Sequence, residues 1–184
     1  MLFYVDLFCL FMDDILGDIY YIKENDPSMK YIYMILLFHI GFHSLFLYRL
    51  SHLLFKLNLE FLSLCVWRLN SMLNSCDIHP KALIKSPCMI DHSIGIVIGE
   101  TAMIDERCQI FQGVTLGGRK QKIIENRRHP MIGKNVLLGC NCIILGPIII
   151  GNHCKIGSGS VVIENIPFNT TAVGIPCKII TNIG

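Results

Sequence analysis

The chain has 184 residues, and its 16 Lys and Arg against 14 Asp and Glu give a formal charge of +2. That length suits one ordinary domain, or a small domain joined to a repeat array. Only 16% of residues are charged, which excludes a nucleic-acid binder with a dense Lys/Arg face and leaves small molecules as the expected partners. Nine cysteines accompany no basic segment leading into an apolar run and a small-residue cleavage site, so a cytoplasmic location is expected rather than a secreted disulfide framework.

From about residue 10 to 75 the apolar residues recur at helical spacing. Phe42, Leu45, Phe46, Leu50, Leu53, Leu54 and Leu57 make one stripe, and Phe61, Leu64, Cys65, Leu69 and Met72 make another. Asp26-Pro27 is expected to open a helix, because Asp accepts from free amides and Pro tolerates the first turn. Residues 31–48 carry no Asp, Glu, Lys or Arg and approach the length of a membrane span. His39, Gly41 and His43 interrupt that run, so a buried helix of a soluble protein is expected and no membrane.

After Pro80 the period changes to six. Ile84 and Ile90, then Ile98, Ile104, Ile110 and Leu116, then Ile132, Leu138, Ile144, Ile150, Ile156 and Val162 are all aliphatic. The next residue is often Gly or Asp (Asp91, Gly99, Asp105, Gly133, Gly139, Gly151, Gly157), which suits a tight turn. Four positions after the aliphatic residue stands a mostly small one: Cys88, Ala102, Cys108, Val114, Val136, Cys142, Cys154 and Ser160. A short fixed period marks a solenoid, and hexads indicate a parallel β-helix. Cysteines at the small position pack as compact hydrophobes, so no metal is expected at Cys140 and Cys142. The chain is therefore expected to be α+β, with an N-terminal helical domain (1–76) followed by a β-helix domain (77–184).

The lattice breaks twice. Eight residues separate Ile90 from Ile98, a slip of two across Asp91-His92-Ser93-Ile94-Gly95, and sixteen separate Leu116 from Ile132. The second gap demands a loop leaving the coil at about 117–131, which holds the basic cluster Arg119, Lys120, Lys122, Arg127 and Arg128. Departures from a local rule are expected at functional sites.

Several segments carry a resemblance: Asn25-Asp26-Pro27, Gly41-Phe42-His43, Asp77-Ile78-His79-Pro80 and Asp91-His92. Gly95-Ile96-Val97-Ile98-Gly99-Glu100-Thr101, Gly113-Val114-Thr115-Leu116-Gly117-Gly118 and Arg128-His129-Pro130 complete the set. In order and spacing they resemble the serine O-acetyltransferase family over about residues 12–180. The resemblance implies a left-handed parallel β-helix with one protruding loop, and acetyl transfer from acetyl-CoA to the hydroxyl of L-serine in cysteine synthesis. No permanently bound cofactor is implied, and acetyl-CoA serves as co-substrate.

A serine alcohol attacks a thioester only when its proton can leave, so a base is needed, and histidine suits that task near neutral pH. By resemblance His92 is the base and Asp77 orients its ring. The zwitterionic substrate needs carboxylates for its ammonium and a cation for its carboxylate. Asp26, Asp91, Arg128 and His129 match the family's positions for that. For acetyl-CoA the matching positions are Gly117, Gly118, Cys140 and Ser158, with Lys155 and Lys178 facing the phosphates. The family also implies a homotrimer, and the short helical half favours a plain trimer over a dimer of trimers.

The chain departs from the family in the loop, where Arg119-Lys120-Gln121-Lys122-Ile123-Ile124-Glu125-Asn126 replaces Thr-Gly-Lys and further glycine. Its end, Asn182-Ile183-Gly184, lacks the terminal isoleucine that docks into the next enzyme, which argues against a stable sulfhydrylase complex. The main alternative is another hexapeptide-repeat O-acetyltransferase acting on a sugar or xenobiotic hydroxyl. A zinc-dependent γ-type carbonic anhydrase would need three His ligands, and a non-catalytic scaffold would not need the acid and base groups. His39, His43, His52 and His153 receive no role.

Overall fold

The computed structural model describes residues 2–119, 123–124 and 126–180, with side chains from Val5 onward. Lys120 and Lys122 of the basic cluster, and Asn182, Ile183 and Gly184, lie outside the described residues. Four helices come first: α1 (Leu2–Asn25), α2 (Ile32–Phe38), α3 (Ile40–Lys56) and α4 (Glu60–Asn74).

Three details of the helical half differ from the sequence expectation. Asp26-Pro27 opens no helix: α1 ends at Asn25, and the Asp26 Oδ1 accepts from the amide and hydroxyl of Ser28 at 2.8 and 2.7 Å. Asp here caps a turn onto its own backbone, which short polar side chains do as readily as they cap helices. Residues 31–48 are not one buried helix. They bend by 75° between α2 and α3 at His39, whose backbone is extended, and Leu36, Leu37 and Phe38 of α2 are exposed. Among the described residues no single helix is long and apolar enough to cross a membrane. Finally, the α4 stripe of Phe61, Leu64, Cys65, Leu69 and Met72 faces outward. The side of α4 that meets α3 is polar, with Ser63 Oγ donating to the Ser51 carbonyl at 2.7 Å and Asn70 Nδ2 to the Ser44 carbonyl at 3.0 Å.

A buried ion pair fastens the helices to the coils. Arg49 of α3 donates to both carboxylate oxygens of Asp18 on α1 at 2.6 and 2.9 Å, and to the Ile84 carbonyl at 3.1 Å. Asp18 in turn accepts the amide of Cys88 at 2.9 Å. Both side chains are nearly inaccessible, so neither charge could stay there alone.

From Asp77 the chain winds in coils of three short strands. The first coil holds β1 (Asp77–Ile78), β2 (Leu83–Ile84) and β3 (Cys88–Ile90), and the second β4 (Val97–Ile98), β5 (Met103–Ile104) and β6 (Cys108–Ile110). The third holds β7 (Thr115–Gly117), β8 (Met131–Ile132) and β9 (Leu137–Leu138), with the long loop between β7 and β8. The fourth holds β10 (Ile143–Leu145), β11 (Ile149–Ile150) and β12 (Lys155–Ile156). The last comprises β13 (Val161–Val162) and β14 (Thr171–Val173), and β15 (Lys178–Ile180) folds back antiparallel on β14. Equivalent strands of successive coils pair in parallel, giving a first sheet β1-β4-β7-β10-β13, a second sheet β2-β5-β8-β11, and a third sheet β3-β6-β9-β12-β14-β15. The result is a three-sided parallel β-helix.

Every aliphatic hexad position is buried, and so are the small positions four residues on. Each fully buried Ile contributes about 1.5–3 kcal/mol relative to exposure. Cys88, Cys108, Cys142 and Cys154 fill the small positions as expected, and burial pushes the Cys108 and Cys142 thiols up to about 12, so they pack as neutral groups.

The turn chemistry differs from the expectation. Left-handed residues recur not directly after the aliphatic position but three after it, at Arg107, Gly113, Asn135, Asn141, His153, Gly159 and Asn169. Glycine directly after the aliphatic residue answers crowding instead. At Gly99, for example, a Cβ would overlap the His129 ring.

Candidate active site

Two edges of the three-sided coil carry the expected residues. Asp91 and His92 lie on the edge where the third sheet passes into the first, between β3 and β4. The two extra residues of this turn come before its left-handed position, Gly95, and lift His92 off the coil so that it is 62% exposed. The turn stays anchored beneath by Ser93 Oγ, donating to the Asn74 carbonyl at 2.9 Å, and by the Gly95 amide, donating to the Ser75 carbonyl at 2.9 Å.

The helical half closes onto this turn. A Cβ at Gly41 would run into the Ile90 carbonyl, so only glycine lets the start of α3 approach this closely. That contact sets His39 beside Asp91, and the turn after α1 brings in Asp26. Ligand atoms of Asp26, His39 and Asp91 all lie within 4.8 Å of one another. His39 Nε2 is 3.6 Å from Asp26 Oδ2, and His92 Nε2 is 3.9 Å from Asp91 Oδ2. Two carboxylates and the His39 imidazole therefore converge on one small volume, with the exposed His92 adjoining Asp91. Sequence reasoning left His39 without a role; the available signal was a histidine two residues before Gly41-Phe42-His43, in a run otherwise free of charge.

The same edge continues upward through the next coils. The amides of Gly113, Asn141 and Gly159 donate to the carbonyls of Ile94, Gln112 and Cys140 at 2.9, 2.8 and 2.8 Å. Cys140 and Ser158 thus stand in line above the His92 turn, and Ser158 is exposed. Lys155 of β12 and Lys178 of β15 project from the third sheet, both exposed.

Arg128 and His129 occupy the other edge, where the first sheet passes into the second. Thr101, in the turn between β4 and β5, receives them as the long loop returns. Its hydroxyl accepts the amides of Arg128 and His129 at 3.1 and 3.2 Å, and its own amide donates to His129 Nδ1 at 3.1 Å. Since Nδ1 accepts, the neutral ring carries its proton on Nε2. Burial, then the neighbouring Arg128 cation, holds the His129 ring below the ordinary imidazole range. Gly117 ends β7 on this edge, and Gly118 follows, within reach of the Arg128 and His129 side chains. Thr101 is a second contributor that the repeat pattern did not single out.

The structure does not bring the two groups together within one chain. Among the described residues no hydrogen bond or ion pair links Asp91 or His92 to Arg128 or His129. Among the described residues no hydrogen bond or ion pair joins Asp77 to His92 either: the Asp77 Oδ1 accepts from the Trp67 indole at 2.8 Å, and His92 has Asp91 as an ionic neighbour. Asp77 sits one coil below, opposite Val97 in the β1–β4 register.

A hexapeptide-repeat coil with an exposed histidine at a bulged edge, flanked by carboxylates, defines the class of hexapeptide-repeat transferases. The family model of the bacterial transferase hexapeptide (six repeats) matches residues 129–164. The serine acetyltransferase of Buchnera aphidicola subsp. Schizaphis graminum is 44% identical over 172 residues, covering 94% of this chain and 66% of its own length. This chain thus spans just under two thirds of that relative. A serine acetyltransferase solved in complex with CoA superposes with a TM-score of 0.86 at 38% identity, over 92% of this chain and 70% of that one. The Neisseria gonorrhoeae serine acetyltransferase in complex with serine gives a TM-score of 0.88 at 37% identity, over 93% and 69%. The chain belongs to the serine acetyltransferase family.

Proposed function

We propose that this chain transfers the acetyl group of acetyl-CoA to the hydroxyl of L-serine, as a cytoplasmic step toward cysteine. The observation that carries the reading is the convergence of Asp26, from the helical half, with Asp91 beside the exposed His92. Two carboxylates facing one small volume suit an ammonium group, and a sugar or xenobiotic hydroxyl has no use for them. Relatives solved with CoA and with serine support both ligands.

In this reading His92 takes the proton from the serine hydroxyl as its oxygen attacks the thioester carbonyl carbon. The tetrahedral intermediate then breaks its C–S bond, and His92 returns the proton to the departing CoA thiolate. Asp77, one coil below and hydrogen-bonded to the Trp67 indole, supports the imidazolium by its charge rather than by a direct hydrogen bond. Arg128 and His129 hold the substrate carboxylate, His129 donating through Nε2–H. Gly117, Gly118, Cys140 and Ser158 line the acetyl-CoA track, and Lys155 and Lys178 face its phosphates.

Asp91 and His92 stand on one edge, Arg128 and His129 on another, so a complete pocket needs two chains. A homotrimer, with one chain's bulged edge against the next chain's Thr101 edge, supplies three such pockets. Residues 1–76 then form the helical unit that contributes Asp26, and 77–184 the catalytic coil.

The test is release of CoA thiol from acetyl-CoA with L-serine, homoserine and a panel of sugars. Serine-dependent release that the sugars do not produce is the expected result, and release with sugars but not serine would overturn the reading.

A further inference from the structure

His39 is 3% exposed, and its two ring nitrogens have different fates. Nδ1 accepts the amide of Phe42 at 2.9 Å and so caps the start of α3. Among the described residues Nε2 has no hydrogen-bond partner, and it lies near the carboxylates of Asp26 and Asp91. A buried polar nitrogen without a partner is costly and calls for an explanation.

The cap decides what Nε2 can do. With its Nδ1 lone pair engaged by an N–H, the neutral ring must carry its proton on Nε2. Nε2 is then a hydrogen-bond donor with no lone pair for a metal ion, so the Asp26–His39–Asp91 group does not read as a cation site. Burial favours the same neutral form. Asp26 is placed to receive that donor. Its Oδ1 is already held by the amide and hydroxyl of Ser28, while Oδ2 faces His39 at 3.6 Å.

We infer that His39 is a positioning residue for amine recognition: its Nε2–H faces Asp26 Oδ2 at 3.6 Å, an electrostatic contact longer than a hydrogen bond, and favours the orientation of that carboxylate that receives the substrate ammonium between Asp26 and Asp91. This rests on the serine reading above. Ser28 holds Oδ1 by two hydrogen bonds and the His39 N–H dipole faces Oδ2, so binding the amine costs little reorganisation. The role is separate from that of His92, which faces the hydroxyl.

Asparagine and glutamine separate the two jobs of the ring. In His39→Asn the Oδ1 replaces Nδ1 as the cap acceptor but nothing donates at the Nε2 position. In His39→Gln an amide N–H stands near the Nε2 position while the cap acceptor is lost. His39→Asn is expected to keep the wild-type Tm and to raise the serine KM about tenfold, with kcat and the acetyl-CoA KM within about twofold. His39→Gln is expected to lower Tm by about 2–4 °C yet recover most of the serine affinity. A wild-type serine KM in His39→Asn, or losses of serine affinity that follow Tm across both variants, would overturn the inference and leave the serine reading intact. Absence of serine-dependent turnover in the wild type would remove both.

Discussion

Thr101 grips both ends of His129: its hydroxyl accepts the His129 backbone amide at 3.2 Å while its own amide donates to the ring Nδ1 at 3.1 Å. The same hydroxyl accepts the Arg128 amide, so one side chain fixes the point where the long loop rejoins the coil. Thr101→Val keeps the shape and removes the hydroxyl. The serine KM should rise roughly tenfold, the size of one or two lost hydrogen bonds, with little change in the acetyl-CoA KM. Steady-state kinetics with each substrate varied in turn check this, and an unchanged serine KM contradicts the anchoring role.

The His129 ring also sets a pH dependence. Burial, followed by the Arg128 cation, holds its folded pKa below the ordinary value of 6.5. An unfolded chain then binds the proton at a higher pH than the folded one. The stability contributed is complete above about pH 6.5 and is lost as pH falls through the folded value. His39, His52 and His79, each lowered chiefly by burial, act in the same direction. Thermal melts from about pH 7.5 to about pH 5 should show Tm falling on acidification, less steeply in His129→Asn, whose Oδ1 can still accept from Thr101. Equal slopes in the two proteins would exclude His129 as a contributor.

His92→Ala should lower turnover by roughly 10²–10⁴-fold, the usual contribution of a general base. The side chain is 62% exposed, with Asp91 as its ionic partner among the described residues, so the substitution removes little packing, and CoA binding and Tm should persist. Asp77→Asn should cost less, because its carboxylate is held by Trp67 rather than by His92. Calorimetric CoA titration beside turnover assays distinguishes lost chemistry from lost binding. Near-normal turnover in His92→Ala would assign the base elsewhere.

The Arg49–Asp18 pair joins the helical half to the coil with almost no access to water. Asp18→Asn leaves the buried guanidinium only the partly exposed Asp14 carboxylate, at 3.2 Å, as counter-charge, and removing one partner of a buried pair typically costs about 3–5 kcal/mol. Denaturant titration should show a large fall in stability. A change below about 1 kcal/mol, the range of exposed pairs, would mean that water reaches the pair.

The period of six made the coil legible, because each aliphatic position such as Ile110 or Leu138 points inward whatever the neighbours do. The two breaks in that period marked both edges of the candidate site for the same reason: residues that leave the lattice cannot be serving the core. Glycine was misread where packing rather than dihedral freedom demands it, as at Gly99 under the His129 ring, because one residue type answers both needs. His39 escaped notice because the place inferred for it exists only when α3 docks on Ile90, a contact between segments about fifty residues apart, and no local spacing encodes it. The outward stripe of α4 shows the converse: helical periodicity tells which residues share a face but not what that face meets.

The separation of the two edges gives a test that needs no further structure. If each pocket combines His92 of one chain with Arg128 of the next, His92→Ala and Arg128→Ala are each inactive or nearly so as pure proteins, yet they complement when mixed. In a threefold ring containing both variants, one interface always pairs the intact His92 of an Arg128→Ala chain with the intact Arg128 of a His92→Ala chain. Random reassembly of equal amounts should restore roughly a quarter of the wild-type sites, since about three quarters of the rings are mixed and each carries one intact pocket of three. A pocket contained within a single chain predicts no recovery, because every chain in the mixture is defective. The variants should be denatured together, refolded and assayed for serine-dependent CoA release, with separately refolded samples combined afterwards as the control. Recovery only after joint refolding is the expected result. No recovery despite proven exchange of subunits would return the pocket to a single chain and end the two-chain reading.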